Sequence, residues 1–375
     1  MRGALLFIAV FALSMLVIPM IAVGYPIEEP ADLALHSPQS PQQESQTAAV
    51  WPQQAAEEAL DAPQMPPELP VEMEQVQESA ESTSVLLGVE AFRVLDESTG
   101  EIHTVSVRDY VRGAVAAEMP AVFHSEALKA QAVAAHTYAL HHHRVQMEHP
   151  DPELKGADFK ADPSNMKVYI TEEKAREFYG AKADQYWEKV CAAADSVAHL
   201  VLEYEEEPIV AAYHAISAGM TEDASNVWVG SAPYLLPADS EGDYLAPDYE
   251  TEEEFSYPEL KRLLLAAYPE MDLSGQADTW FGEMERSASG YITAIEVGGQ
   301  VLHGSEVRTV LDLRSHNFEV VDTGSSFLFV VYGYGHGVGL SQYGADFMAR
   351  QGADFEEILA NYYTGATLTQ VVLPQ

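Results

Sequence analysis

One carboxyl in this chain has surroundings that suit acid catalysis. In AVAAEMPAVFHSEALKAQAVAAHTYAL (114–140), Glu118 closes a helical segment just before Met119 and Pro120, with Ala116, Ala117 and Ala121 close by in sequence. Apolar neighbours and the negative end of the preceding helix dipole both raise a carboxyl pKa. An acid kept protonated near neutrality is what a general acid requires. The same pattern fits a surface glutamate at a helix end, which so acidic a chain carries in number.

A second stretch, GHGVGLSQYGA (335–345), follows the apolar run FLFVV (327–331) and precedes a helix starting near Ser341. Strand, glycine loop and helix is the layout of a phosphate cradle. The dinucleotide fingerprint needs G-x-G-x-x-G. Counting from Gly333 the sixth residue is Val338, and from Gly335 it is Leu340. No Walker lysine follows, and too little chain remains for a nucleotide-binding half. The nucleotide reading fails. Tyr332, Tyr334, His336, Ser341, Gln342 and Tyr343 suit a sugar instead, rings for its apolar faces and neutral groups for its hydroxyls. The alternative is a tight glycine turn in which His336 is a satisfied structural histidine.

These residues need elements to hold them. Ser106 with Asp109 resembles a capping box opening a helix, RDYVRGAVAAE, that Pro120 stops. A second helix runs from Ser125 to about Gln146, and its alanine face (Ala127, Ala130, Ala134) places it centrally in the domain. Short helices are expected at 171–179 and over ADQYWEKVCAAADSV (183–197). VLLGVEAF, IHTVSV, LDLRS, FEVVD and FLFVV read as strands, with HLVLEY and PIVAAYHAI as a hairpin. Two short C-terminal helices follow, capped by Ser341 and Asp354, with Gly352 and Gly365 as stops. Strands and helices mix without regular βαβ alternation, so the fold class is α+β around a central alanine-rich helix.

The formal charge is −40 over 375 residues, which excludes a polyanion such as nucleic acid as a partner bound by general electrostatics. The single cysteine, Cys191, excludes an internal disulfide framework and a multi-cysteine metal site. Its small apolar neighbours mark it as a buried packing residue. HHH at 141–143 is no metal site, because consecutive helical residues point about 100° apart. It reads as a polar helix end that favours cationic histidine. No cofactor or metal is expected.

Ala4 to Val23 carries no charge, about the length that crosses a bilayer, and Arg2 is its only basic flank. Residues 1–24 therefore read as a transmembrane signal anchor with the rest of the chain extracytoplasmic. AVG at 22–24 offers a cleavage site, but the run is longer than a usual signal-peptide core. Residues 25–84 hold nine prolines, twelve acids and no Lys or Arg, and read as a disordered tether. The folded domain spans 85–375.

Four blocks across that domain, AAEMP with EALKAQAVAAHTYAL, AAYHAISAGMTEDASNVW, GHGVGLSQYGADFMARQG and EILANYYTGATL, resemble the stage II sporulation protein D family, which includes modifiers of cell-wall autolysins. The resemblance implies a membrane-anchored peptidoglycan lytic transglycosylase that acts on peptide-stripped glycan strands during forespore engulfment. In it Glu118 matches the catalytic glutamate. The resemblance also implies that Ser341, Gln342 and Tyr343 line the groove, with His336, Ser217, Thr221 and His136 as further substrate-site candidates. The family's partners imply association with a peptidoglycan amidase and a membrane protein, and a second reading as a non-catalytic glycan-binding scaffold. The chain departs from the pattern at His136, where arginine is usual, and at Ala218, where a second glycine is usual. Some relatives bind zinc near YHAISAG; Cys191 lies outside that block and lends such a site no support.

Overall fold

A computed structural model describes residues 85–228 and 232–372. The expected anchor and tether lie outside the described residues. Among the described residues no helix is long and apolar enough to cross a membrane.

The chain opens with β1 (Val85–Leu87), β2 (Ala91–Asp96) and β3 (Ile102–Ser106). Helix α1 (Val107–Glu118) starts at Ser106, whose hydroxyl oxygen accepts from the Asp109 N–H at 3.1 Å. It stops because Met119 precedes a proline and takes an extended conformation. Helix α2 (Ser125–Glu148) starts at the expected Ser125 and is capped by His124. It packs against its neighbours through Ala127, Ala130 and Ala134, all fully buried. Methyl-sized side chains let several partners approach, and α2 is the centre of the molecule.

After β4 (Phe159–Ala161) come α3 (Glu172–Tyr179) and α4 (Ala183–Val197), as the sequence predicts. The hairpin of β5 (Leu200–Tyr204) and β6 (Glu207–Pro208) is shorter than expected. PIVAAYHAI forms only β6 and the two-residue β7 (Tyr213–His214). Next follow β8 (Glu250–Ser256), α5 (Tyr257–Ala267), β9 (Phe281–Arg286), β10 (Ile292–Val297), β11 (Gln300–Leu302) and α6 (Gly304–Leu311). LDLRS is not a strand: Leu311 ends α6 and Asp312 caps it in the left-handed region. The chain finishes with β12 (Phe318–Asp322), β13 (Ser326–Tyr332), β14 (Leu340–Ser341), α7 (Gln342–Arg350), α8 (Phe355–Tyr362) and β15 (Thr367–Val372).

The fold is mixed α+β with several small sheets, ordered β1-β15-β5-β6, β3-β2-β4, β11-β10-β9, β12-β13-β8 and β14-β7. VLLGVEAF divides between two of them, because β1 pairs with β15 and β2 with β3 and β4. α2 lies against α1, α4, α7, α8 and β5 inside the larger hydrophobic core. A second core, with Leu260, Trp280, Ile292, Val307 and Phe329, fills the region built by β8–β13, α5 and α6.

Candidate active site

Three chain segments converge on Glu118. It is the last residue of α1, while α2 runs alongside and Gln342 is the first residue of α7. Glu118 keeps part of its surface accessible. Its carboxyl is nonetheless so enclosed that burial pushes the pKa up to about 7, against the opposing hydrogen bond from Gln342. An acid that can be reached and still holds its proton near neutrality can donate it. Four phenols sense the glutamate's charge: Tyr110, Tyr138, Tyr213 and Tyr334.

Gln342 is itself buried, and its Nε2 also lies 3.4 Å from Oε1 of Gln131 on α2. The fully buried Gln131 leaves its own Nε2 without a partner among the described residues. Sequence reasoning missed Gln131 and the tyrosines other than Tyr334. Seven residues separate Gln131 from Tyr138, two helical turns, so the spacing carried a signal that both share one face of α2.

The glycine loop is laced onto the chain around the SAG block. Tyr334 and Ile216 exchange backbone hydrogen bonds at 2.7 and 3.0 Å, and Glu222 N–H donates to Gly337 O at 2.7 Å. β14 pairs in parallel with β7, setting Ser341 beside His214. Gly339, at φ +72°, lies so close to Ala212 that a Cβ would collide with the carbonyl oxygen. Gly337, at φ +77°, leaves the same kind of room for the Tyr291 ring. The loop is a close-packed connector first, and its glycines serve backbone contact.

That lacing fixes where the expected site residues stand. Ser341 is fully buried: its hydroxyl caps α7 and donates to Asp243 Oδ1 at 2.8 Å. Ser217 donates its N–H to Asp243 Oδ2 at 2.8 Å, and its hydroxyl oxygen accepts from Gly219 N–H. Thr221 accepts from the Ala238 N–H and is likewise buried. These three hold the frame and do not line an open groove. Tyr343 rests edge-on against Phe123 at 4.8 Å, almost buried. His336 is buried between the rings of Trp228 and His214, and its Nδ1 accepts from Val338 N–H.

His136 is not brought to Glu118. It stands two residues from Tyr138, about 200° around α2, packed near Phe92 and hydrogen-bonded to the backbone of Leu200. Burial lowers its pKa to about 4, so it is neutral and replaces no arginine charge. Of the predicted residues, only Gln342 bonds directly to Glu118 here.

Asp243 is the further residue that the sequence reading missed. It is fully buried, and its two oxygens tie the 217 segment to the cap of α7. Burial raises its pKa to about 6, with the serine hydrogen bonds pulling the other way.

Two readings are corrected by burial. α2 continues past the histidine run, and His142 is buried with its pKa lowered to about 3, so it is not cationic. His141 is lowered as well. Cys191 is half-buried and not enclosed, though its surroundings still raise the thiol pKa. Among the described residues no group of three or more His, Cys, Asp or Glu is arranged to hold a metal ion.

Residues 96–204 match the family model described as stage II sporulation protein. Stage II sporulation protein D of Bacillus amyloliquefaciens is 32% identical over 273 residues, covering 73% of this chain and 77% of that protein. The Bacillus subtilis (strain 168) protein of the same name is 30% identical over 285 residues, covering 76% and 79%. The amidase enhancer of Bacillus subtilis (strain 168) is 27% identical over 314 residues, 69% of this chain and 40% of that protein.

Proposed function

The chain belongs to the stage II sporulation protein D family, and on that premise we propose that it is a peptidoglycan lytic transglycosylase with Glu118 as its single acid and base. The observation that carries this reading is a reachable Glu118 whose enclosure holds the pKa at about 7. Protonated Glu118 gives its proton to the glycosidic oxygen between N-acetylmuramic acid and N-acetylglucosamine, and the C1–O bond breaks. The resulting carboxylate removes the proton of the muramic C6 hydroxyl. That oxygen closes on C1 as a 1,6-anhydro ring, and Glu118 is protonated again with no water consumed. A pKa near 7 suits both halves, since the group must give up and regain a proton at one pH. Gln342 orients the carboxyl and stabilises its charged form between the two steps.

In this reading residues 1–24 anchor the chain in the cell membrane, and the folded region works outside it on peptide-stripped glycan strands during engulfment. A second reading rests on the likeness to the amidase enhancer. In it the chain binds glycan and recruits or activates an amidase without cutting. The deciding experiment incubates wild type and Glu118→Gln with peptide-free glycan strands and examines the ends by mass spectrometry. Anhydro-muramic ends from wild type alone establish the enzyme and its acid. Strand binding by both proteins without new ends leaves the scaffold. Reducing muramic ends would mean hydrolysis and would sink the ring-closing step.

A further inference from the structure

The seam between the two cores holds a pocket of about 210 Å³ that the reaction above does not use. Val227 and His336 line it from the side of the larger core, Tyr268, Arg308 and His316 from the other. Glu118 does not line it.

Its floor is unusual. Arg308 is 5% exposed, and its Nε donates to Leu313 O at 3.1 Å. No carboxylate among the described residues lies within ion-pair distance of this guanidinium. The Asp312 carboxylate acts on it electrostatically without closing an ion pair, and a buried cation without a bonded partner is costly. Beside it His316 is 1% exposed, and its Nδ1 has no partner among the described residues. The ring lies against Tyr291, at 4.7 Å between centroids. His336, by contrast, is already satisfied by Val338 N–H.

We propose that this pocket is a second ligand site that takes a small monocarboxylate, with Arg308 receiving the acid beside the His316 ring. The guanidinium fork matches a carboxylate in charge and geometry. Glu306 sets the charge limit: it stands at the exposed rim, its oxygens accepting from His303 N–H at 2.7 Å and Tyr268 OH at 3.2 Å. One carboxylate is therefore already present, and a dianion such as phosphate is disfavoured.

The pocket follows from this geometry alone. The choice of ligand rests on the glycan reading above. Removing the stem peptide frees the lactyl carboxylate of a muramic residue, an acid that N-acetylglucosamine lacks. His336 lines the pocket from the same chain segment that leads, six residues on, to Gln342 at Glu118. A carboxylate site there would register stripped muramic residues on a strand held at Glu118.

The test follows the His316 imidazole nitrogens by NMR in ¹⁵N-histidine-labelled full-length protein carrying Glu118→Gln, so that nothing is consumed. The probes are N-acetylmuramic acid, N-acetylglucosamine, D-alanyl-D-alanine and inorganic phosphate. N-acetylmuramic acid is expected to shift His316 and to bind roughly ten-fold or more tighter than N-acetylglucosamine, the worth of one charge-assisted pair. Arg308→Gln should abolish that preference, and Arg308→Lys should retain only part of it.

Should Arg308→Gln not fold, the wild-type ratio of the two sugars still decides. A His316 shift with the dipeptide but not the sugar acid keeps the carboxylate site and overturns the muramic assignment. Equal binding of both sugars, or preference for phosphate, overturns the proposal. Anhydro products without a His316 shift would remove the pocket and leave the enzyme. A shift without products would do the reverse.

Discussion

Replacing Glu118 by glutamine should stabilise the protein increasingly as pH rises, because the native state holds this proton more tightly than the unfolded chain does. The folded pKa is about 7 against a reference of 4.5, set by burial first and opposed by Gln342. For a carboxyl raised on folding the sign runs one way. Below 4.5 both states are protonated and nothing is lost. Between 4.5 and 7 the unfolded state sheds the proton first, so stability falls as pH rises, and above 7 the full cost persists.

Each pKa unit is worth about 1.4 kcal/mol, so the cost approaches roughly 3 kcal/mol well above pH 7 and is under about 1 kcal/mol at pH 5. Glutamine is nearly isosteric, can still accept from Gln342 and does not titrate. The stability difference, Glu118→Gln minus wild type, should therefore grow by roughly 2–3 kcal/mol from pH 5 to pH 8. Urea denaturation at four pH values measures it, and Asp243, which titrates in the same window, cancels between the two proteins. A difference that stays flat from pH 5 to 8 would show a solvated carboxyl and refute the argument for a poised acid.

Three further outcomes test the surrounding frame. Gln342→Leu removes the hydrogen bond that stabilises ionised Glu118, so the alkaline limb of anhydro-muramic product formation should move to higher pH, by about half a unit to one unit. Asp243→Ala leaves the Ser217 N–H and Ser341 hydroxyl without their shared acceptor; urea midpoints should report a loss of about 2–4 kcal/mol, with Asp243→Asn losing less. Gly339→Ala forces a side chain into φ +72° against the Ala212 carbonyl and should cost at least about 2 kcal/mol by the same measurement.

Local signals in the sequence carried far where the chemistry was local. The caps at Ser106, Ser341 and Asp354 and the helix over 183–197 follow from side chains within a turn or two of the backbone they satisfy. The second core was legible only in part, through FEVVD and FLFVV, which form β12 and β13. Its strand β8 reads ETEEEFS, mostly exposed glutamates that no hydrophobic alternation marks, and it is a strand because β13 pairs with it. The placement of Ser341 and Ser217 was hidden for a related reason. Both look like hydroxyls available to a sugar until Asp243, remote in sequence from each, turns them inward.

The position of Glu118 shows how such long-range closure tunes a single group. It ends α1, where the helix dipole adds negative potential, and it bonds to the first residue of α7, where the dipole is positive. Burial alone would carry the acid higher, to a pKa at which it gives up its proton poorly. The amide of Gln342 draws it back towards neutrality. α7 can occupy that place because β14, the two residues before it, pairs with β7, and because Asp243 grips its cap. The glycine loop and the buried serines thus act on the chemistry without touching a substrate: they hold Gln342 where it bonds the acid.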